Sequence, residues 1–413
     1  MFSFQQAGRI QRAAWIGFLA LAATLVPATP GRATGKTQGL PKRVAKDKRR
    51  RAGRVSIFRG LQPALARVAK DIKQLLDEHD KSAVAVGQFT GPPTFPTGGG
   101  PGVARVLADE LKKQGVAVKE RASVGVEGSF RWVHAKGDQD ENEPEATTVE
   151  FTLKVVDDGG KSLLKEDRRF KIFDQKDIAI LLGLTTHTPP ETPRRGRGQE
   201  VSVTAAIEDP RFFLAGSRVQ ASRTSPYAVE IAVAPSARGP FRARRPKNRD
   251  GLAYVRIRKG EVYRVRVINR SRYKAAVTLS IDGISIFSFC KERTKEGDPK
   301  YSKLIVPPGV SEIKGWFIDL RNSESFVATE YAKSAAAELK STAKTGMITV
   351  TFAAAWDPNG KPPPDEPRHE EEKNQDSDDE ATGRGQRVPD RYREGHHEVG
   401  VLRDTISIRY TKK

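Results

Sequence analysis

Groups able to do covalent or metal chemistry are sparse in this chain. Its histidines are His79, His134, His187, His369, His396 and His397, and Cys290 is the single cysteine. A structural zinc site needs several Cys or His ligands at short spacing, and a zinc peptidase needs H-E-x-x-H. Neither pattern occurs. His396-His397-Glu398 is the one local group of metal-capable donors, and its place at the margin of a charged, low-complexity stretch predicts solvated side chains. Cys290 has no closely following His and Met, as a copper site would require, and no histidine nearby to activate a thiolate. It continues the parity of Ile284 and Ile286 and reads as a small buried hydrophobe.

Two glycine- and serine-containing runs invite a catalytic reading. Gly98-Gly99-Gly100-Pro101-Gly102 follows a predicted strand and opens a predicted helix, the setting in which backbone N–H groups cradle phosphate. No Lys-Ser/Thr follows, and Pro101 removes one donor, so the run reads as a flexible start to a helix. Ser341-Thr342-Ala343-Lys344 followed by Thr345-Gly346 contains S-x-x-K and K-T-G, but both use the same lysine and no S-D-N lies between. Penicillin-interacting enzymes need these as separate elements. Asn269-Arg270-Ser271 is a glycosylation sequon. No catalytic, cofactor-binding or metal-ligating residue emerges, and no cofactor is expected.

The elements that would hold any site are more legible. The strongest β pattern is 251–289, centred on Asp282-Gly283, a two-residue turn that tolerates positive φ. Counting outward pairs Ile281 with Ile284, Leu279 with Ile286 and Val277 with Ser288 on one face; Ser280 with Ser285 and Thr278 with Phe287 lie on the other. Upstream, Phe58, Leu61, Leu65, Val68, Ile72, Leu75 and Leu76 recur at helical spacing. Strands are predicted at 82–89, 116–119, 123–133, 147–156 and 162–170, a second helix at 102–115, and a short one at 177–183. Further strands are predicted at 201–206, 227–233, 303–306, 313–318, 325–329 and 347–355, with an Ala-rich helix at 331–340 and a basic loop at 235–250. Ile406, Ile408 and Tyr410 alternate at the end of the chain, which predicts that this last strand returns to pair within the same β domain.

The order VAVGQF, loop, GVARVLADELKKQG, VAVKE and VVDDGGKSLL resembles the α/β unit of the curli-secretion and penicillin-binding-protein-activator proteins of bacterial envelopes. The chain lacks that family's lipid-anchor cysteine and membrane-spanning hairpins, so the resemblance implies a fold and no functional residues. The KGEVYRVRVIN and AAVTLSIDGISIFSF segments resemble β-rich domains of unknown function in bacterial secreted and signalling-associated proteins.

Charge and targeting complete the reading. The formal charge is +21 and the pI is about 10, which favours polyanionic partners without choosing among them. Arg9 and Arg12 precede the apolar run 13–26, with Val26-Pro27-Ala28 suited to cleavage: a secretory leader, or alternatively an uncleaved N-terminal anchor. No later run could span a bilayer, and no sequence-specific nucleic-acid motif occurs. The expected fold is α+β and multidomain, an α/β domain with a mixed sheet followed by an antiparallel β-sandwich. Its parts are a leader (1–28), a basic linker (29–54), the α/β domain (55–190), a linker (191–200), the sandwich (201–356), a disordered charged loop (357–397) and the sandwich's returning strand (398–413). The expected function is that of an exported, non-catalytic cell-envelope protein that binds an envelope protein or an anionic polymer, in the periplasm or outside the cell. The alternatives are an envelope-polymer hydrolase with an unrecognised site and a basic surface-adhesion component.

Overall fold

The computed structural model describes residues 2–6, 55–94, 96–134, 147–189, 197–328, 345–366 and 384–411. Residues 7–28 of the expected leader, the basic run 32–54, the Ala-rich segment and the acidic blocks of 370–380 lie outside them, whereas Phe2–Gln6, at the start of that leader, pairs as a strand with Tyr301–Val306. The fold is of the α+β class, with four helices and mostly strands in several sheets among the described residues. No helix among them is long and apolar enough to cross a membrane.

The N-terminal part is built on a mixed sheet ordered Ser56–Phe58, Arg168–Ile172, Thr147–Asp157, Val124–His134, Ala83–Thr90 and Ala117–Val118. Helix α1 (Leu61–Glu78) buries Leu65, Val68, Ile72 and Leu76, one face at three- and four-residue spacing. Helix α2 (Gly100–Lys113) buries Val103, Val106, Leu107 and Leu111 in the same core. Helix α3 (Gln175–Leu182) is capped by the Asp174 carboxylate, which accepts from the Asp177 N–H at 3.0 Å, and it ends on Gly183 at φ 63°. Asp177 in turn accepts from the Leu61 N–H at 2.8 Å, so the start of α3 caps the start of α1.

Residues 201–206 form part of helix α4 (Arg197–Glu208) instead of a strand. The Val201/Val203 alternation is real, but Val203, Ala206 and Ile207 also sit at helical spacing, and packing on the α/β core selects that face. The strand expected directly after the Asp157–Gly160 turn is likewise delayed. A single bridge joins Val156 to Ser162, and the strand proper is Arg168–Ile172.

The remaining strands form two larger sheets. One runs Lys247–Arg249, Leu252–Arg256, Glu398–Thr411, Thr345–Trp356, Lys274–Ile281, Tyr301–Val306, Phe2–Gln6 and Tyr392–Glu394. The other runs Gly315–Asp319, Asn322–Val327, Val262–Asn269, Tyr227–Ala234, Arg218–Gln220 and Phe213–Ala215. The pairing is not purely antiparallel, because Leu252–Arg256 lies parallel to Glu398–Thr411. Val229, Val265, Val277, Phe352, Ile406 and Ile408 join one hydrophobic core to which both sheets contribute. The terminal strand does return, and it sits between Leu252–Arg256 and Thr345–Trp356.

The Asp282-Gly283 hairpin is shorter than its alternation suggests. Ile281 pairs with Ile284 and Ser280 with Ser285, the Ile286 N–H donates to the Leu279 carbonyl at 3.0 Å, and there the hairpin ends. Thr278 pairs instead with Thr351, and Val277 with Leu304 on one side and Phe352 on the other. Lys274–Ile281 is a central strand, so both its edges are claimed by longer partners. The stretch expected to be disordered, 357–397, is ordered where described. Arg384–Pro389 pairs with Asn322–Val327. Arg403 holds Asp365 through two bonds of 2.8 and 3.0 Å and Glu366 at 2.9 Å. The buried Tyr392 ring packs edge-on against Phe317.

Candidate polyanion-binding edge

The glycine run, Cys290, Asn269 and His397 take structural roles. The glycine run and the Asp-Gly turn, far apart in sequence, meet. The Gly102 N–H donates to the Asp282 carbonyl at 3.1 Å. A Cβ on Gly102 would lie 2.3 Å from the Gly283 carbonyl oxygen, and one on Gly100 would lie 1.8 Å from that of Phe89. These glycines permit backbone to approach backbone, and the start of α2 is packed against the turn, not open to a phosphate.

Cys290 is buried, its thiol bonded to the Glu292 carbonyl at 3.2 Å, and burial pushes it up to about 11. Asn269 is buried and its amide donates to the Tyr273 carbonyl at 2.8 Å, so the sequon's acceptor nitrogen is enclosed. His397 is not solvated as expected. It is buried with Nε2 3.1 Å from Lys274 Nζ and 3.3 Å from Asp357, and burial, then Lys274, holds its pKa below the usual imidazole value. No group of three or more His, Cys, Asp or Glu among the described residues could share a metal ion. Ser341–Lys344 lies outside the described residues; Thr345 and Gly346 begin a strand.

One unforeseen constellation has the residue types of a hydrolase. Asp404 is buried, with His187 Nδ1 2.5 Å from its Oδ1, and the Ser225 hydroxyl donating to its Oδ2. The order is wrong for nucleophile activation, which needs the imidazole against the hydroxyl and the carboxylate behind the imidazole. Here the carboxylate stands in the middle. Ser225 Oγ also accepts from the Tyr227 N–H at 3.0 Å, a local turn bond. The three residues tie Thr186–His187 and the start of Tyr227–Ala234 to the terminal strand.

The chemistry exposed on the surface is positive charge. Residues 238–259 contain nine Lys and Arg against one acid, Asp250. The stretch is not the plain loop expected. Arg242–Ala243 pairs with Tyr227–Ala234, and Lys247–Arg249 forms an edge strand beside Leu252–Arg256. Three cations are engaged: Arg244 binds Glu261 at 2.8 Å, Arg249 stacks 4.9 Å from the Tyr254 ring centre, and Lys259 also has a partner. Arg238, Arg242, Arg245, Lys247, Arg256 and Arg258 are exposed, and none is ion-paired among the described residues. Charge on an edge strand also discourages edge-to-edge pairing, which accounts for Lys247. It does not account for the others.

Beside this ribbon lies a hollow of about 480 Å³ lined by Phe212, Phe213, Leu214, Gln220, Arg223 and Asn248. Gly251 brings the two together, since the Pro210 carbonyl occupies the space a side chain would need there, 1.7 Å from an ideal Cβ. The basic loop was readable from composition. The hollow was not, because Phe212-Phe213 carries no periodic signal in a run of turns and short strands.

No family model, curated protein or solved structure matches this chain. The envelope-protein resemblance therefore rests on its sequence motifs, and a functional reading rests on the geometry of the basic edge and its hollow.

Proposed function

We propose that the protein is an exported, non-catalytic binding protein that holds an anionic polymer along the ribbon 238–259. The carrying observation is the set of six exposed, unpaired cations there. Such a strip creates a local positive potential that concentrates polyanions and weakens with ionic strength. In this reading the two large sheets pack face to face as a sandwich. Their common core supports that arrangement, and it leaves the sheet edge free to carry the charges. Export is supported by the apolar run after Arg9 and Arg12. Salt-gradient elution of the full chain from immobilised polyphosphate and polyuronate tests the binding. Replacing Arg242, Arg245 and Lys247 together by Glu should bring elution to markedly lower salt with melting unchanged. Elution at the wild-type salt concentration would place the binding elsewhere, and recovery of the native protein from the cytosol of its host would defeat the export reading.

A further inference from the structure

The hollow beside the ribbon differs from it in chemistry. Phe212 and Phe213 are half-buried, and Leu214 is 41% exposed, which puts apolar surface where a purely electrostatic strip has no use for it. Polar groups stand around that surface. Arg223 is exposed, ion-paired to nothing among the described residues, and its guanidinium carbon lies 5.6 Å from the Phe213 ring centre. Asn248 belongs to the edge strand itself, so hollow and ribbon share a wall.

We propose that this hollow seats one sugar ring of an acidic polysaccharide whose neighbouring charges lie along the ribbon, an inference that rests on the polyanion-binding reading. A pyranose offers an apolar C–H face to aromatic and aliphatic side chains, hydroxyls to amides, and a carboxylate to a guanidinium. The lining supplies each of these partners within one concavity of suitable size for a monosaccharide unit. Single-stranded nucleic acid is the competing ligand, because bases also stack on aromatic rings. It needs a succession of open ring faces along the charged track. The ribbon does not provide them: Arg264 covers Phe241 at 3.7 Å, and Tyr254 is buried beneath Arg249. One ring-binding position within a charge track suits a polymer of sugars better than a polymer of bases.

The test measures binding of the full chain to polyuronate, to polyphosphate of matched charge, and to single-stranded DNA at one salt concentration. Phe213→Ala should weaken polyuronate about tenfold, the scale of a lost aromatic anchor, and leave polyphosphate within about twofold. Phe213→Trp should restore polyuronate binding. Arg223→Ala, a surface change that keeps the rings, should lower affinity for polyuronate more than for polyphosphate, and it decides the matter if Phe213→Ala melts early. Equal loss for both polymers, or no loss for polyuronate, overturns the sugar site while leaving the ribbon intact. DNA bound more tightly than polyuronate, with the same dependence on Phe213, assigns the hollow to bases instead. If the wild-type chain retains none of the three, the polyanion reading itself has failed and the sugar site falls with it.

Discussion

Buried acids set the protein's response to alkali. Burial raises Tyr263, Tyr392 and Tyr410 well above the ordinary phenol value, with Asp282 adding to the first and third and Asp390 to the second. Burial likewise lifts the Cys290 thiol from 9.0 to about 11. For each group the folded chain keeps its proton at a pH where the unfolded chain has lost it. Fewer protons are then bound in the unfolded state, and stability falls as pH rises. The loss begins near pH 9 with Cys290, whose shift corresponds to at most about 3 kcal/mol, and deepens above pH ~10 as the unfolded tyrosines ionise. Arg409 works in the opposite direction, since burial lowers it to about 10. One such group does not offset the several raised acids. The expected outcome is cooperative alkaline unfolding, with tyrosinate absorbance rising together with the loss of far-UV circular dichroism. Tyrosines that titrate smoothly near their free value while the circular dichroism stays native would show that these rings are not enclosed.

The terminal strand Glu398–Thr411 is the element on which the larger part of the fold depends. It pairs with Thr345–Trp356 over nearly its whole length and with Leu252–Arg256 on its other edge. Ile406 and Ile408 are fully buried between them. Ile408→Ala should cost about 2–5 kcal/mol, read as a lower urea midpoint at unchanged slope. Deleting 401–413 removes a central strand and should abolish cooperative unfolding; a truncated chain melting like the intact one would exclude a central role. The alternation Ile406, Ile408, Tyr410 made this strand readable, because period two with β-branched residues is a local signal. The same signal misled at 201–206, where Val201 and Val203 alternate but tertiary packing chose the helix. It also overextended the Asp282-Gly283 hairpin, because alternation says which face is buried but not which strand supplies the partner. Ordering of 384–394 was invisible for a related reason. Tyr392, Asp390 and Val388 are single anchors in a polar run, and their partners lie some seventy residues upstream at Phe317 and Ser323. The candidate edge divides in the same way: composition reveals the cations, whereas the hollow depends on a long-range approach at Gly251.

At the level of the whole molecule, the residues that join the α/β part to the large sheets decide whether they act as one body. Asp282 is 2% exposed and stands at that junction. Its carboxylate accepts from the Met347 N–H at 2.6 Å and from the Tyr410 hydroxyl at 3.3 Å, while its own N–H donates to the Met347 carbonyl at 2.6 Å. Its carbonyl receives the Gly102 N–H at the start of α2. Arg409 adds a second tie, donating to the Pro96 carbonyl at 2.7 Å and the Leu182 carbonyl at 3.2 Å. A turn that serves as a hairpin tip in isolation is thus the buried socket for a helix from the other part. The described residues of 56–411, with Phe2–Gln6, accordingly belong to one compact unit. Calorimetry should therefore show one transition for both parts, not two. Asp282→Ala should lower its midpoint, because it strands a buried N–H and a buried hydroxyl at about 1–3 kcal/mol each and places alanine at φ 55°. Asp282→Asn, which tolerates that backbone and keeps an acceptor for Met347, should cost distinctly less. If Asp282→Ala instead splits the transition and leaves the sheets melting as in the wild type, the turn couples the parts without stabilising the larger one. If both variants melt like the parent, Asp282 does not hold the junction.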